Sequence, residues 1–175
     1  MGGPLTIQEI KSDKTYKYFV ETGTYKGDTT LMASKHFQKV YTTEIMEELH
    51  NYSKNRAKSE GITNIEFMLG DSVDLLKKIV PEVKEGAVFF LDAHQSGGDT
   101  GNNGKNVPLL EELDIILSHN IGPSVFIVDD LRLWKSKVWD WAHISNKKII
   151  QKFLDYGYSI QSFYEHNDRF FVLTK

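Results

Sequence analysis

The sequence predicts a doubly wound α/β fold. It has a Rossmann-like, seven-stranded sheet, mostly parallel, with helices on both faces and an antiparallel β-hairpin at its C-terminal end. Three observations carry this. Short β-branched and aromatic runs alternate five times with longer helical patterns, the mark of βαβ units around a parallel sheet. The run AVFFLD (residues 87–92) is apolar without alternation, as a strand covered on both faces must be. The last two runs, SIQSFYE and RFFVLTK, are separated only by His166, Asn167 and Asp168, which reads as a hairpin turn.

Each element has its own reason. YFVE (18–21) is the first strand; Asp28, Thr29 and Thr30 are capping candidates for a helix running on through LMASKHF. KVYTTE (39–44) is the second strand, and a polar helix through EELHNYSKNRAKSE stops at Gly61, a natural C-cap. NIEFML (64–69) is the third strand. Asp71 and Ser72 then open a helix through DLLKKIV that Pro81 terminates. AVFFLD is the fourth strand, and PLLEELDIILSHN is a helix starting at Pro108. SVFIV (124–128) is the fifth strand, and NKKIIQKFLDYGY is the last helix, ending at Gly157.

The bulk properties set limits. A chain of 175 residues, 40% apolar and 26% charged, is expected to form one soluble domain over 1–175. A net charge of −3 gives no electrostatic basis for nucleic acid or an anionic membrane as partner. There is no cysteine, which excludes disulfides, thiolate nucleophiles and Cys-ligated zinc. No apolar run approaches the ~18 residues of a membrane span, and MGGPLTIQEI lacks the regions of a secretory leader. A cytoplasmic enzyme or binding protein is expected. Oligomeric state is not legible, since any exposed apolar patch depends on the fold.

In open α/β sheets ligands bind beyond the carboxyl ends of the strands, so the residues ending each strand matter most. They are Glu21, Glu44, Gly70-Asp71, Asp92 and Asp129-Asp130, an acid at all five. Glu21 heads the stretch Thr22, Gly23, Thr24, Tyr25, Lys26, Gly27, whose glycines allow a tight turn and close approach of a ligand to the backbone. Tyr25 stands where a dinucleotide fingerprint would place a second glycine, and an acid beside the loop repels pyrophosphate but suits an ammonium. Glu44 ends the second strand, where a carboxylate accepts hydrogen bonds from ribose hydroxyls. Asp71 and Ser72 suit an adenine edge. A plain turn, an N-cap and a surface acid are the competing readings for these positions. Together they describe a nucleoside bearing a positively charged amino acid end.

From about Tyr18 to Lys175 this pattern resembles the class I S-adenosylmethionine-dependent methyltransferases. Residues 21–27 look like their first motif, although the middle glycine of E/D-x-G-x-G-x-G is missing. The resemblance implies S-adenosylmethionine as cofactor, held by Glu21, Thr22, Gly23, Thr24, Tyr25, Gly27, Glu44, Asp71, Ser72 and Asp92. Catechol-type O-methyltransferases place an Asp at the end of strand four and an Asp-Asp or Asp-Asn pair at the end of strand five, as Asp92 and Asp129-Asp130 fall here, which implies a Mg²⁺ or Mn²⁺ site. VETGTYKGDTT and LDAHQSGGDTGNNGKNVPLLEEL are also similar to FkbM-like and macrocin-type sugar O-methyltransferases.

The chemistry asks for the same residue types. A hard divalent ion takes oxygen ligands, lowers the pKa of a bound hydroxyl and fixes its attack geometry. His94, two residues after Asp92, is the best-placed base, with Asp92 as the alternative and a solvent-facing or supporting imidazole as the competing reading. His143 is a weaker candidate; His36, His50, His119 and His166 read as surface or packing residues. Residues 96–106, with four glycines, are a candidate lid, with a disordered loop without function as the equal alternative. Trp134, Trp139 and Trp141 with Arg132 would suit a sugar face, with core packing as the safer reading for at least one Trp. The expected activity is therefore methyl transfer to a hydroxyl of a small molecule or glycan, a deoxyhexose such as rhamnose foremost. The rivals are a metal-dependent nucleotide-sugar glycosyltransferase, which Glu21 and Glu44 disfavour, and a non-catalytic cofactor-binding scaffold. A NAD-dependent dehydrogenase lacks its glycine fingerprint.

Overall fold

A computed structural model describes residues 4–10, 12, 14–93, 107–136 and 139–175. The chain runs β1 (Tyr18–Thr22), α1 (Asp28–Ser34), β2 (Lys39–Glu44), α2 (Glu47–Ser59), β3 (Ile65–Leu69), α3 (Ser72–Ile79), β4 (Val88–Leu91), α4 (Leu109–Ser118), β5 (Val125–Val128), α5 (Leu131–Ser136), α6 (Asn146–Asp155), β6 (Ile160–His166) and β7 (Arg169–Thr174). The strands form one seven-stranded sheet in the order β3-β2-β1-β4-β5-β7-β6. All pairs from β3 to β5 are parallel, and β7 runs antiparallel to both β5 and β6. This is the doubly wound sheet with a C-terminal hairpin that the sequence predicts.

Burial follows position in the sheet. Every residue of β4, β5 and β7 is buried, whereas the edge strands β3 and β6 are largely half-buried or exposed. Side chains alternate across the strands, and this sorts the core into two layers. Val20, Phe89, Leu91, Phe126 and Val128 pack with Leu76, Leu113, Ile116, Ile149 and Phe153 of α3, α4 and α6. On the opposite face Phe19, Val40, Val88, Phe90 and Ile127 meet Ala33 and Phe37 of the α1 region, with Leu5 of the N-terminal segment.

The hairpin turn is two residues long. Asn167 and Asp168 lie at φ 47° and 65°, the left-handed pair of a type I′ turn, and His166 pairs with Arg169 as the last residue of β6. The sequence placed His166 in the turn, one residue too early. Four elements were not predicted: α5, and 3-10 turns over Ile7–Glu9, Val80–Val83 and Trp139–His143. Trp134 and Trp141, only 3% and 1% exposed, belong to the core rather than to a sugar platform, and Trp134 packs edge-on against Phe170 at 5.8 Å. The side chain of Trp139 lies outside the described residues, as do His94 and the glycine-rich stretch 96–106. Among the described residues no helix is long and apolar enough to cross a membrane.

Candidate functional site

β1 and β4 are neighbours, but the chain leaves them in opposite directions, toward β2 and β3 on one side and β5 and β7 on the other. Such a switch point opens a crevice at the carboxyl edge. Its floor is Gly23, at φ +85°. A Cβ there would stand 2.5 Å from the Asp92 carbonyl oxygen, so only glycine lets the ends of β1 and β4 come this close.

The loop after β1 is fastened to the end of β2. Gly23 and Thr24 both donate their amides to the Thr43 carbonyl at 3.0 Å, and the Thr24 and Thr42 hydroxyls lie 2.5 Å apart. Tyr25, at φ +49°, donates its amide to Glu44 Oε2 at 2.8 Å; Glu44 Oε1 accepts from the Met46 amide at 3.0 Å. Glu44 therefore holds the loop through Oε2, while Oε1 bonds its own segment two residues on. Gly27 closes the turn, its amide bonded to the Thr24 carbonyl at 2.9 Å, and opens α1.

Glu21 lies beneath this loop. Alternation points it to the α1 side, where Oε2 accepts from the Thr30 hydroxyl and, at 2.7 Å, from the Thr42 hydroxyl. Burial raises its pKa from 4.5 to about 7, those two hydroxyls lower it, and Glu44 adds repulsion. Thr22 points the other way, fully buried, and its hydroxyl accepts from the Asp92 amide at 3.3 Å. Asp71 is the N-cap of α3, accepting from the Val73 amide at 2.9 Å. Ser72 donates its hydroxyl to Glu112 Oε1 at 2.5 Å.

Asp92 is half-buried at the tip of β4. Burial raises its carboxyl well above the ordinary range, Asp129, Asp130 and Glu21 add repulsion, and Arg169 offsets part of this. Asp129 and Asp130 follow β5, 7% and 8% exposed, and each has a guanidinium partner. Arg169 approaches Asp129 Oδ1 with Nε at 3.3 Å and Oδ2 with Nη2 at 3.4 Å, and reaches Glu9 with Nη1 at 2.8 Å. Arg132 bridges Asp130 and Asp168.

Arginines thus fill the place that the sequence gives to a divalent ion. Among the described residues no three His, Asp or Glu side chains are grouped to hold a metal. As they stand, Asp92, Asp129 and Asp130 do not fit Mg²⁺ or Mn²⁺, because two of the three carboxylates are already neutralised. Arg132 likewise faces Asp130 and Asp168 rather than a ligand hydroxyl. His143 is exposed, and the buried His50 lies edge-on to Phe67 at 6.3 Å on α2.

Three further residues were missed from sequence. Glu112 interrupts the apolar stripe Leu109, Leu113, Ile116 of α4 at helical spacing, and that misplaced acid was the available signal. Glu9 had a local signal in its capping box with Thr6, three residues back, but its pairing with Arg169 gave none, because those two residues lie far apart in the chain.

No protein-family model and no curated protein sequence matches this chain. Its fold is similar to that of solved methyltransferases. An rRNA methylase from Streptococcus thermophilus superposes at a TM-score of 0.57 with 18% identity over 93% of this chain and 87% of the other. A SAM-dependent methyltransferase from Aquifex aeolicus gives 0.58 and 16% over 96% and 86%. The O-methyltransferase TomG from Streptomyces achromogenes, involved in tomaymycin synthesis and solved with SAM, gives 0.60 and 15% over 91% and 73%.

Proposed function

We propose that this chain is an S-adenosylmethionine-dependent methyltransferase acting on a hydroxyl oxygen of a small molecule, with a sugar hydroxyl as acceptor. The observation that carries the reading is the switch-point crevice, where Gly23 brings the backbone against Asp92 and Glu44 is tied to the loop through the Tyr25 amide. The crevice is bordered by acids, which favours a ligand carrying sulfonium and ammonium charge over pyrophosphate, and so over NAD or a nucleotide sugar. The same charge disfavours a phosphodiester substrate. The sugar acceptor rests on the resemblance of VETGTYKGDTT and LDAHQSGGDTG to sugar O-methyltransferases.

When bound, the cofactor supplies an electrophilic methyl group that leaves a neutral thioether. Gly23 and Thr24 would present backbone to the methionine end, Glu44 would accept from the ribose hydroxyls, and Asp71 and Ser72 would border the adenine. Asp92 would take the proton that the acceptor hydroxyl gives up on methylation. Burial and the neighbouring carboxylates raise the proton affinity of Asp92, as a base for a hydroxyl requires. His94 is the alternative proton acceptor. No step is routed through a metal, since Arg169 and Arg132 occupy Asp129 and Asp130.

Thermal melts with S-adenosylhomocysteine, UDP- and GDP-sugars and NAD separate the readings. At a hundredfold excess over Kd, S-adenosylhomocysteine stabilises by about 2.7 kcal/mol, or roughly 5–10 °C at this size. Stabilisation by a nucleotide sugar instead would replace this reading with glycosyl transfer. Mass spectrometry of methyl transfer to a glycoside panel then tests the acceptor and excludes a mere scaffold.

A further inference from the structure

The buried acid of α4 has a role that neither packing nor the proposed chemistry explains. Glu112 is 1% exposed, on a helix face otherwise formed by Leu109, Leu113 and Ile116. A leucine there would continue the stripe, and burying a carboxyl costs free energy unless its hydrogen bonds are made. One bond is made, and a second strand end stands beside it. Ser72, where the chain leaves β3 for α3, donates its hydroxyl at 2.5 Å. The Thr22 hydroxyl, at the end of β1, faces the same carboxyl and acts to lower its pKa. Thr22 Oγ1 in turn accepts from the Asp92 amide at 3.3 Å, at the end of β4. Ser72 and Thr22 are 7% and 0% exposed, so water does not stand in for any of these partners.

We propose that Glu112 is a positioning residue that clamps the crevice from below, fixing the turns after β1, β3 and β4 relative to one another. It touches no ligand. It acts through Ser72 and Thr22, whose backbones lead directly into Gly23 on one side and Asp71 on the other. The proposal rests on the reading of this crevice as the cofactor site, because the clamp matters to function only if those three turns share a ligand.

The test is calorimetric binding of S-adenosylhomocysteine to wild type, Glu112→Ala, Glu112→Gln, Ser72→Ala and the double variant Glu112→Ala/Ser72→Ala. Amide hydrogen exchange is read on the same proteins. Glu112→Ala is expected to weaken binding about tenfold, as the loss of a charge-assisted hydrogen bond would. Glu112→Gln keeps an acceptor for Ser72 and is expected to bind within about twofold of wild type, a rescue that side-chain hydrogen bonding gives. The double variant should bind no more weakly than Glu112→Ala, since both act through one contact. Exchange at residues 22–24 and 71–73 should quicken in Glu112→Ala, while β5 and β7 stay protected.

A folded Glu112→Ala that binds within twofold of wild type overturns the proposal, as does a Glu112→Gln no better than the alanine. Should Glu112→Ala fail to fold, Ser72→Ala decides by hydrogen exchange without ligand: quicker exchange at residues 22–24 supports the clamp, and unchanged exchange there sinks it. If wild type itself does not bind S-adenosylhomocysteine, the functional reading fails. Hydrogen exchange then judges the clamp alone, with Glu112→Gln replacing an unfolded alanine variant, and unaltered exchange at both turns overturns it.

Discussion

Replacing Gly23 by alanine tests the geometry on which the crevice depends. The residue sits at φ +85°, and an added Cβ would lie 2.5 Å from the Asp92 carbonyl oxygen and 2.8 Å from its carbon. Ordinary contact begins at about 3.5 Å, so the ends of β1 and β4 must part by roughly an ångström. The left-handed backbone costs a side chain about 1–2 kcal/mol, and over-packing adds about 1–3 kcal/mol. A loss of about 3 kcal/mol is therefore expected by urea denaturation, or roughly 6–12 °C in Tm for a chain of this size. Gly61→Ala is the control. It shares the left-handed backbone, at φ +70°, but nothing stands within 4 Å of its Cβ. It should cost only about 1 kcal/mol, and the difference measures the approach to Asp92. S-adenosylhomocysteine affinity should fall at least about tenfold in Gly23→Ala, because Asp92 moves, and stay constant in Gly61→Ala. Equal losses of stability in the two variants, with binding intact in both, would refute the close-approach argument.

Glu21 and Glu112 both have folded pKa values raised from 4.5 to about 7, chiefly by burial, so each binds its proton more tightly folded than unfolded. Their stabilisation is full below pH 4.5 and is lost as pH rises toward 7; at about 1.4 kcal/mol per pKa unit each contributes roughly 3 kcal/mol. Tm should therefore be higher at pH 5.5 than at pH 8, and Glu112→Gln should flatten that slope; a steeper or inverted slope would contradict the burial of these acids. Arg169→Met removes a buried guanidinium from Glu9 and Asp129. A loss of about 3–5 kcal/mol in urea is expected, because two carboxylates stay buried without their partner; a loss below about 1 kcal/mol would show that solvent reaches them. EDTA should leave S-adenosylhomocysteine binding and methyl transfer unchanged. Activity lost in EDTA and regained with Mg²⁺ would show that Asp129 and Asp130 exchange arginine for metal.

The strands were legible because their cause is local. VFFL and VFIV are buried on both faces and read so from composition, and the alternation in β6 and β7 marked the hairpin. The cap of α3 was legible too, since Asp71 accepts from Val73, whereas Gly27, not Asp28, Thr29 or Thr30, stands at the N-cap of α1, and the Ser145 cap of α6, accepting from Lys148 at 3.2 Å, was not read. α5 was not legible. Its first turn is capped from the hairpin, where the Asp168 carbonyl accepts from Leu131 and Asp168 Oδ1 from Arg132, both at 2.7 Å. That cap lies 36 residues away and has no signature in LRLWKS. Core packing, the safer reading for at least one Trp, holds for Trp134 and Trp141; aromatic residues after β5 look like a binding surface until α5 folds Trp134 back onto Phe170.

For the site, sequence located the acids but not their partners, and the partners decide what an acid does. Asp92, Asp129 and Asp130 follow neighbouring strands, so their convergence is a matter of sheet order, which the structure supplies. Their charge balance was not legible, because Arg169 enters from the last strand and Glu9 from the N-terminal segment. Five carboxylates around a parallel-sheet switch point need a cation. The candidates are a metal, a guanidinium or a positively charged ligand. Arg169 and Arg132 account for Asp129 and Asp130, while Glu21 is held by hydroxyls and neutralised in part by its raised pKa. Glu44 and Asp92 lie on opposite sides of Gly23, one bonded to backbone amides and the other pushed toward its protonated form by burial and by like charges. In the proposed reading this acidic edge suits a cationic nucleoside better than a pyrophosphate.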